Sequence, residues 1–362
     1  MESRERTPGA ARILAKAGGG GPAARFEDWM RVALYDPELG YYARNVRSVG
    51  ARGDFSTAAT LHPALGEAVA AWAAARRHAL GGRFARWHLV EAGPGTGALA
   101  ETVLASLPLL ARRTVSLHLV ETSPVLREAQ RARLGGRAAW HATMENALAA
   151  CEGRAIVYAS ELLDAFPVRV LRWQGSGWEE MEISLKGEEW REEWRSASNE
   201  RLGPPGVFSA LERQWPELQR VEIAPAVRSL FLSKKSFSPL FFGSFLLLDY
   251  GDTIDRLYDR RPNGTVRGYA HHVRLEGAEL YSWGGMADVT ADVNFTDVAA
   301  WAAESGFVVS PLETQGAFLA RHVKGVQARA AREPALAFLL DPRGAGSGFK
   351  ALELRAGTSP GS

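Results

Sequence analysis

The sequence contains a single cysteine, Cys151, among 362 residues, which excludes an intramolecular disulfide and a metal site built from several cysteines. Such sparing use of cysteine is typical of proteins in a reducing compartment. An excess of one charge is lacking as well, because 43 Lys and Arg residues face 41 Asp and Glu residues, for a net charge of +2. Without a basic excess we expect no nucleic-acid partner.

Long apolar runs are also missing, so we expect no membrane span. The longest run, from Leu240 to Leu248, is short and interrupted by Gly243. The N-terminal region lacks the apolar core of a secretory signal, and Glu2 and Glu5 argue against a mitochondrial presequence, which is poor in acids. We therefore expect a flexible polar tail over residues 1–23 and a cytoplasmic location.

A glycine-rich loop is the most informative feature that the sequence does contain. The segment V-E-A-G-P-G-T-G, residues 90–97, follows the apolar residues 87–90 and precedes a run of periodic apolar residues that starts at Leu99. This order predicts a strand, a glycine turn and a helix, which brings a small anionic or zwitterionic ligand to a helix N-terminus.

The glycines alone leave the ligand open. Gly93, Gly95 and Ala98 fit the G-x-G-x-x-G/A pattern of dinucleotide-binding proteins, so a nicotinamide-dependent dehydrogenase is one alternative. However, Glu91 at the strand end and the third glycine at Gly97 give E-x-G-x-G-x-G, which is typical of S-adenosylmethionine (SAM) methyltransferases. A carboxylate at this position suits a ligand with a cationic amino-acid end and no phosphate.

Strands and helices alternate around this loop. Predicted strands at 87–91, 115–121 and 155–159 are separated by helical patterns, which argues for a parallel sheet with helices on both faces. After Pro167 the pattern changes to a β-hairpin, 168–173 and 178–185. We expect these segments: a flexible N-terminal tail (1–23), an N-terminal helical cover (24–80), a SAM-binding Rossmann-like core (81–172), a partly β insertion that is a possible substrate-recognition element (173–239), and the rest of the core sheet with the C-terminal segment (240–362).

Motifs spread over most of the chain resemble the MidA family of SAM-dependent methyltransferases. They are F-E-D-W-M-R-V-A-L-Y-D-P-E-L-G-Y-Y (26–42), G-D-F-S-T-A (53–58), V-E-A-G-P-G-T-G-A-L-A (90–100), L-V-E-T-S-P-V-L-R-E-A-Q (119–130), S-E-L-L-D-A-F-P-V (160–168), L-L-D-Y-G (247–251), G-T-V-R-G-Y (264–269), A-D-V-T-A-D-V-N-F (287–295) and T-Q-G-A-F-L (314–319). The resemblance implies a Rossmann-like class I methyltransferase sheet. The mitochondrial members of this family are complex I assembly factors that methylate an arginine of a core subunit.

Three positions depart from the family pattern. Ser160 replaces the asparagine of N-E-F-F-D-A-L-P, and Asp292 replaces a histidine in D-I-T-A-H-V. The usual T-A-P-E appears as T-A-A-T at 57–60, so a carboxylate is missing there. These departures concern the substrate side and leave the cofactor side largely intact.

The predicted cofactor site combines the glycine loop with two carboxylates. Backbone amides of the loop should meet the carboxylate end of SAM, and Glu91 its ammonium. Glu121 ends the second strand, where an acidic residue accepts hydrogen bonds from ribose hydroxyls, although it also fits a surface residue that caps the next helix. The predicted cofactor-binding residues are Glu91, Gly93, Pro94, Gly95, Thr96, Gly97, Glu121, Thr122 and Met144, the last of which fits a core methionine equally well.

The predicted transfer site follows the fourth strand. In open α/β sheets the ligand lies beyond the carboxyl ends of the strands, where Ser160, Glu161 and Asp164 are found. The two carboxylates are suited to hold a guanidinium and aim one nitrogen at the sulfonium methyl, although Asp164 also fits a simple turn. Asp54 is the fourth predicted catalytic residue, as part of the N-terminal cover, and is nearly as compatible with a turn. We expect no metal ion.

The sequence therefore predicts a SAM-dependent methyltransferase. The resemblance implies that the acceptor is an arginine of a protein substrate, with a respiratory complex I subunit as that substrate. A SAM-binding assembly factor or chaperone with little transferase activity is the alternative. The oligomeric state does not follow from the sequence.

Overall fold

The computed structural model describes residues 3–44, 61–81, 84–197, 202–232, 241–271 and 273–356 as an α/β fold. The strands are β1 (Ala23–Arg25), β2 (Trp87–Ala92), β3 (Val115–Val120), β4 (Ala138–His141), β5 (Arg154–Ser160), β6 (Arg169–Trp173), β7 (Trp178–Lys186), β8 (Glu189–Ser196), β9 (Arg220–Ile223), β10 (Phe242–Asp252), β11 (Arg267–Ala270), β12 (Val273–Leu275), β13 (Asp288–Thr290), β14 (Val293–Asn294), β15 (Phe307–Val309), β16 (Glu313–Thr314) and β17 (Phe349–Ala356).

The helices cover both faces of the main sheet and much of the N-terminal region. They are α1 (Ser3–Ala17), α2 (Phe26–Tyr35), α3 (Tyr41–Arg44), α4 (Ala64–Arg76), α5 (Ala98–Ser106), α6 (Leu109–Thr114), α7 (Pro124–Leu134), α8 (Met144–Ala150), α9 (Pro225–Leu232), α10 (Ile254–Leu257), α11 (Gly277–Ser282), α12 (Phe295–Glu304), α13 (Gln315–His322), α14 (Val326–Ala330), α15 (Pro334–Leu340) and α16 (Ala345–Gly348). Within the described ranges, no helix combines the length and the apolar character needed to cross a bilayer.

The main sheet has the order β4-β3-β2-β5-β10-β17-β15, with β14 beside β10 and β16 beside β17. The first five of these strands are parallel, whereas β17 is antiparallel to both β10 and β15. The carboxyl ends of the parallel strands therefore meet at one edge, where ligands bind in open α/β sheets. This topology confirms the predicted Rossmann-like fold.

The central strands are apolar on both faces because helices cover both. Val157 of β5 and Phe245 of β10 belong to one core cluster, whereas Tyr158 and Leu246 point into a second cluster on the opposite face. This alternation explains why β5 and β10 read as almost continuous apolar runs in the sequence.

A second sheet has the order β1-β7-β6-β9, with β8 paired to β7. It contains the predicted hairpin, since Trp173 of β6 pairs with Trp178 of β7. The sheet extends beyond the predicted insertion, 173–239, because β6 starts at Arg169 and β1 comes from the N-terminal region. The insertion and the N-terminal cover are therefore joined by backbone hydrogen bonds.

The expectation of a flexible tail over residues 1–23 is wrong. Residues Ser3–Ala17 form α1, which packs on α2 and α11. Ala10, Ile13 and Leu14 are buried at helical spacing, and a Cβ added to Gly285 would lie 2.7 Å from Ile13 Cδ1. The helical spacing of these apolar residues therefore indicates a packed helix, although most of the residues around them are polar.

Shortening Ile13 tests whether α1 is part of the folded core. Ile13→Ala should lower the free energy of unfolding by about 2–4 kcal/mol, because it removes buried methyl groups and leaves a cavity. Arg12→Ala, at an exposed position of the same helix, should change it by less than about 0.5 kcal/mol. Urea unfolding measures both, and equal effects of the two variants would contradict the docked helix.

Candidate functional site

The glycine loop between β2 and α5 has the backbone conformation that requires glycine. Gly93, Gly95 and Gly97 have φ values of +66°, +51° and +78°, where side chains are strained. A Cβ on Gly93 would also lie 2.8 Å from Leu162 Cδ1. The Gly93 N–H donates to Val120 O at 3.1 Å, which ties the loop to β3. The loop thus brings bare backbone to the N-terminus of α5, a position that favours an anionic group.

Glu91 is buried on β2 directly before this loop. Its side chain accepts a hydrogen bond from the Tyr158 hydroxyl at 2.9 Å and is 2% exposed. Burial raises the pKa of Glu91 to about 8, and the hydrogen bond from Tyr158 only partly offsets this effect. A cationic group placed beside Glu91 would therefore strongly favour its ionised form.

Glu121 lies just beyond the end of β3 and is also buried. Its Oε1 accepts the Ser123 N–H at 2.7 Å, and Gln130 Nε2 lies 3.4 Å from its Oε2. Burial raises the pKa of Glu121, while the backbone N–H groups of Ser123 and Thr122 act in the opposite direction. The carboxylate is held in place at the edge of the sheet, as its predicted contact with a ribose requires.

Gln130 is a site residue that sequence reasoning missed. Its side chain, fully buried, donates to Gly95 O at 2.7 Å and accepts from Trp140 Nε1 at 2.9 Å, so it links the glycine loop to β4. A sequence signal was available, because Leu126, Gln130 and Leu134 form one buried stripe of α7. A glutamine in an apolar stripe indicates a polar partner that must be satisfied.

The remaining predicted cofactor residues lie around the same edge in different environments. Pro94 is buried in the loop, Thr96 is half-buried and Thr122 is exposed just after Glu121. Met144, at the start of α8, is 6% exposed and packs in the core. Its contact with the cofactor stays a prediction.

The predicted transfer residues follow β5 at the same edge. Ser160 ends the strand, and the Glu161 N–H donates to Leu248 O at 2.9 Å with φ of +52° at Glu161. A non-glycine residue in this left-handed region is strained, which is common at functional sites. Asp164 is buried a few residues on, with 3% of its surface exposed.

Asp164 belongs to a cluster of carboxylates. Burial raises the pKa of Asp164 well above its usual value, and the nearby charges of Asp249, Asp288 and Glu161 raise it further. Asp249 itself is held by the N–H groups of Leu162 and Leu163, at 3.1 and 2.7 Å from its Oδ2. Such a concentration of acids in a buried place favours a cationic ligand.

Asp288 is the member of this cluster to which the sequence analysis assigned no role. Its Oδ1 accepts a hydrogen bond from the Tyr42 hydroxyl at 3.0 Å, and burial raises its pKa to about 6. The Tyr42 carbonyl accepts from Ser123 Oγ at 3.1 Å, so α3 connects the predicted cofactor site to the carboxylate cluster. The predicted catalytic residue Asp54 lies outside the described residues.

A groove of about 660 Å³ opens beside the end of β10, next to the carboxylate cluster. Basic residues outnumber acidic ones in its lining. The basic residues are Arg256, Arg260, Arg261, Arg267, Arg274 and Lys350, and the acidic ones are Asp252, Glu276 and Asp292. Within the groove, the Arg267 guanidinium pairs with Asp292 and stands over the Tyr250 ring, 5.6 Å from the centroid. The charge of Arg267 also acts on Asp164 of the carboxylate cluster, whose pKa it lowers. The glycine loop does not line this groove.

Comparisons with known proteins agree with this geometry. A family described as "Putative S-adenosyl-L-methionine-dependent methyltransferase" matches residues 68–312. A Danio rerio protein named "Protein arginine methyltransferase NDUFAF7, mitochondrial" is 28% identical over 81% of this chain and 71% of its own length. The Drosophila melanogaster homolog of that protein is 29% identical over 81% of this chain and 70% of its own length.

Among solved structures, a Burkholderia thailandensis protein bound to S-adenosylhomocysteine superposes with a TM-score of 0.80 at 24% identity, over 99% of this chain and 94% of its own. This likeness confirms the fold, and the family match confirms the predicted SAM cofactor and methyltransferase class. The cytoplasmic location expected from the sequence is wrong by this comparison, because the curated relatives are named mitochondrial.

The buried Glu91 predicts a pH dependence of stability in the absence of cofactor. Burial raises the pKa of Glu91 in the folded protein to about 8. Folding is therefore most stable below the pKa of Glu91 in the unfolded chain, and this stability is lost as the pH rises through the pKa in the folded protein. Between about pH 4.5 and pH 8, the free energy of unfolding of the wild type should fall by about 2–5 kcal/mol relative to that of Glu91→Gln.

Urea unfolding at several pH values checks this, with Glu128→Gln at an exposed position as the control. Parallel pH curves for the wild type and Glu91→Gln would show that Glu91 ionises normally in the fold.

Proposed function

Because the chain belongs to the MidA family of SAM-dependent methyltransferases, we propose that it methylates an arginine side chain of a protein substrate. The observation that carries this proposal is the cluster formed by the buried Asp164, Asp249 and Asp288 with the half-buried Glu161, near the carboxyl ends of β5 and β10. A guanidinium is the protein side chain best matched to such a cluster, since it is planar, permanently charged and donates five hydrogen bonds. The names of the curated relatives support the same acceptor.

On the donor side, the loop amides around Gly93 to Gly97 receive the carboxylate end of SAM. Glu91, directly before the loop, pairs with the ammonium of SAM. This positive charge lowers the raised pKa of Glu91 and favours its ionised form. Glu121 accepts from the ribose hydroxyls while Ser123 and Gln130 fix its orientation. With SAM bound in this way, Ser160 and Glu161 at the end of β5 would lie on the side of its transferable methyl group.

On the acceptor side, Glu161 and Asp164 hold the guanidinium and orient one nitrogen for in-line attack. Bound SAM would supply the methyl group: a nitrogen–carbon bond would form as the sulfur–carbon bond breaks, leaving S-adenosylhomocysteine and a methylated guanidinium that loses one proton to solvent. The donor is already activated, so catalysis consists mainly of positioning two reactants. By resemblance to the family, the substrate protein we propose is a subunit of respiratory complex I.

Glu121→Ala tests the donor side. The variant should bind SAM about 1–3 kcal/mol more weakly, because the ribose loses hydrogen bonds from an oriented carboxylate. Glu128→Ala, on the exposed side of the following helix α7, should bind SAM like the wild type. Titration calorimetry measures both affinities, and an unchanged Glu121→Ala affinity would remove this residue from the site.

Glu161→Gln and Asp164→Asn test the acceptor side. Both keep the side-chain shape and remove the negative charge, so methyl transfer should fall by roughly 100-fold or more while SAM affinity stays within about twofold. The control is Asp255→Asn, whose side chain is 73% exposed. The assay follows label from SAM into proteins of a lysate prepared from cells that lack this protein.

Label found on lysine or on a small molecule instead of arginine would contradict the proposed acceptor. Tight SAM binding without any labelled protein would favour the alternative, a SAM-binding assembly factor.

A further inference from the structure

Three histidines form a hydrogen-bonded row across the main sheet. His88 of β2, His118 of β3 and His141 of β4 lie on one face, as the register of the strands requires. His88 Nδ1 lies 3.0 Å from His118 Nε2, and His118 Nδ1 lies 2.9 Å from His141 Nε2. Methyl transfer as proposed above uses none of these residues.

Cys151, the cysteine at the end of α8, lies over the same row. Its Sγ and the ring nitrogens of His88 and His118 all lie within 4.8 Å of one another. His118 is 6% exposed and Cys151 is 1% exposed, whereas His88 is half-buried and gives access from solvent. Two imidazole nitrogens and one sulfur thus converge on a single point in a largely apolar region.

The protonation of these groups suits a cation. Burial, together with the neighbouring histidines, lowers the pKa of His118 to about 4, so its ring is neutral at pH 7 and retains a lone pair. Burial raises the pKa of the Cys151 thiol to about 12, which makes it a poor thiolate unless a cation replaces its proton. Burial also lowers the pKa of His88, although the negative charge of Glu152 acts in the opposite direction.

We propose that His88, His118 and Cys151 bind one Zn²⁺ ion, although the sequence alone predicts no metal. Nitrogen and sulfur donors from histidine and cysteine are the set that zinc prefers, and three protein ligands with one further oxygen ligand complete a tetrahedron. Tetrahedral zinc places N and S ligands about 3.5 Å apart, so Cys151 Sγ must move inward by up to about 1 Å.

His141 completes the site as a positioning residue. With zinc on His118 Nε2, the Nδ1–H of His118 donates to His141 Nε2, which fixes the tautomer and the ring plane. The ion joins β2, β3 and the end of α8, so its role is to stabilise this half of the sheet. None of the three ligands lines the groove beside β10.

The test uses the full chain, stripped with a chelator and titrated with Co²⁺ and then Zn²⁺ alone. The wild type should bind about one equivalent, with a thiolate-to-cobalt charge-transfer band and release of the Cys151 proton. Cys151→Ser should lose that band, and His118→Gln should lose stoichiometric binding. His78→Gln, at an exposed histidine outside the cluster, should behave like the wild type.

His141→Ala should weaken zinc binding by roughly 10–100-fold without removing the charge-transfer band. SAM affinity, measured for every variant, reports whether the fold is intact. The proposal is overturned if the wild type binds no stoichiometric metal, or if intact Cys151→Ser and His118→Gln bind zinc as tightly as the wild type. In that case the row is a chain of neutral, hydrogen-bonded imidazoles.

Discussion

The burial of carboxylates at one edge of the sheet is the constraint on which this site depends. Glu91, Glu121, Asp164 and Asp288 are each at most 8% exposed, and burial is the largest influence on the pKa of each. Desolvation of an unpaired carboxylate is costly, so these groups hold protons or require partners. SAM and the guanidinium that we propose as the acceptor both carry positive charge, so one edge of the sheet suits both.

The N-terminal region holds the two ends of this edge together. The Tyr42 carbonyl accepts a hydrogen bond from Ser123, next to Glu121, and the Tyr42 hydroxyl donates one to Asp288 of the carboxylate cluster. Tyr35 adds a hydrogen bond from its hydroxyl to Ala165 O at 2.8 Å. Since α2 is in turn packed against α1 and the second sheet, movement of this cover would affect the predicted cofactor site and the carboxylate cluster together.

The sequence predicted those parts of the fold that rest on local patterns. The alternation of strand and helix patterns predicted the parallel sheet with helices on both faces. The positions of Glu91 and Glu121 could be predicted because the strand pattern places both at the carboxyl ends of parallel strands, which lie at one edge of the sheet.

Contacts between distant parts of the chain could not be predicted in this way. Asp288 meets Tyr42 across 246 positions, and no local spacing signals such a pair. The row of histidines was missed for the same reason, since His88, His118 and His141 become neighbours only through strand register. The helix α1 was missed because its short apolar stripe gains its stability from α2 and α11, which only the tertiary structure supplies.

The departure of Asp292 from the family's histidine has a physical consequence for the acceptor site. Asp292 pairs with both Arg261 and Arg267, and the positive charge of Arg267 acts to lower the pKa of Asp164. A neutral histidine at this position would leave the charge of Arg267 uncompensated and would favour ionised Asp164 in the empty site. With Asp292 present, the charge of Arg267 is balanced, so Asp164 would depend more on the guanidinium that we propose as the acceptor for its charged state. Under this proposal, arrival of the acceptor and ionisation of Asp164 would be coupled more tightly in this chain than in one with the family's histidine.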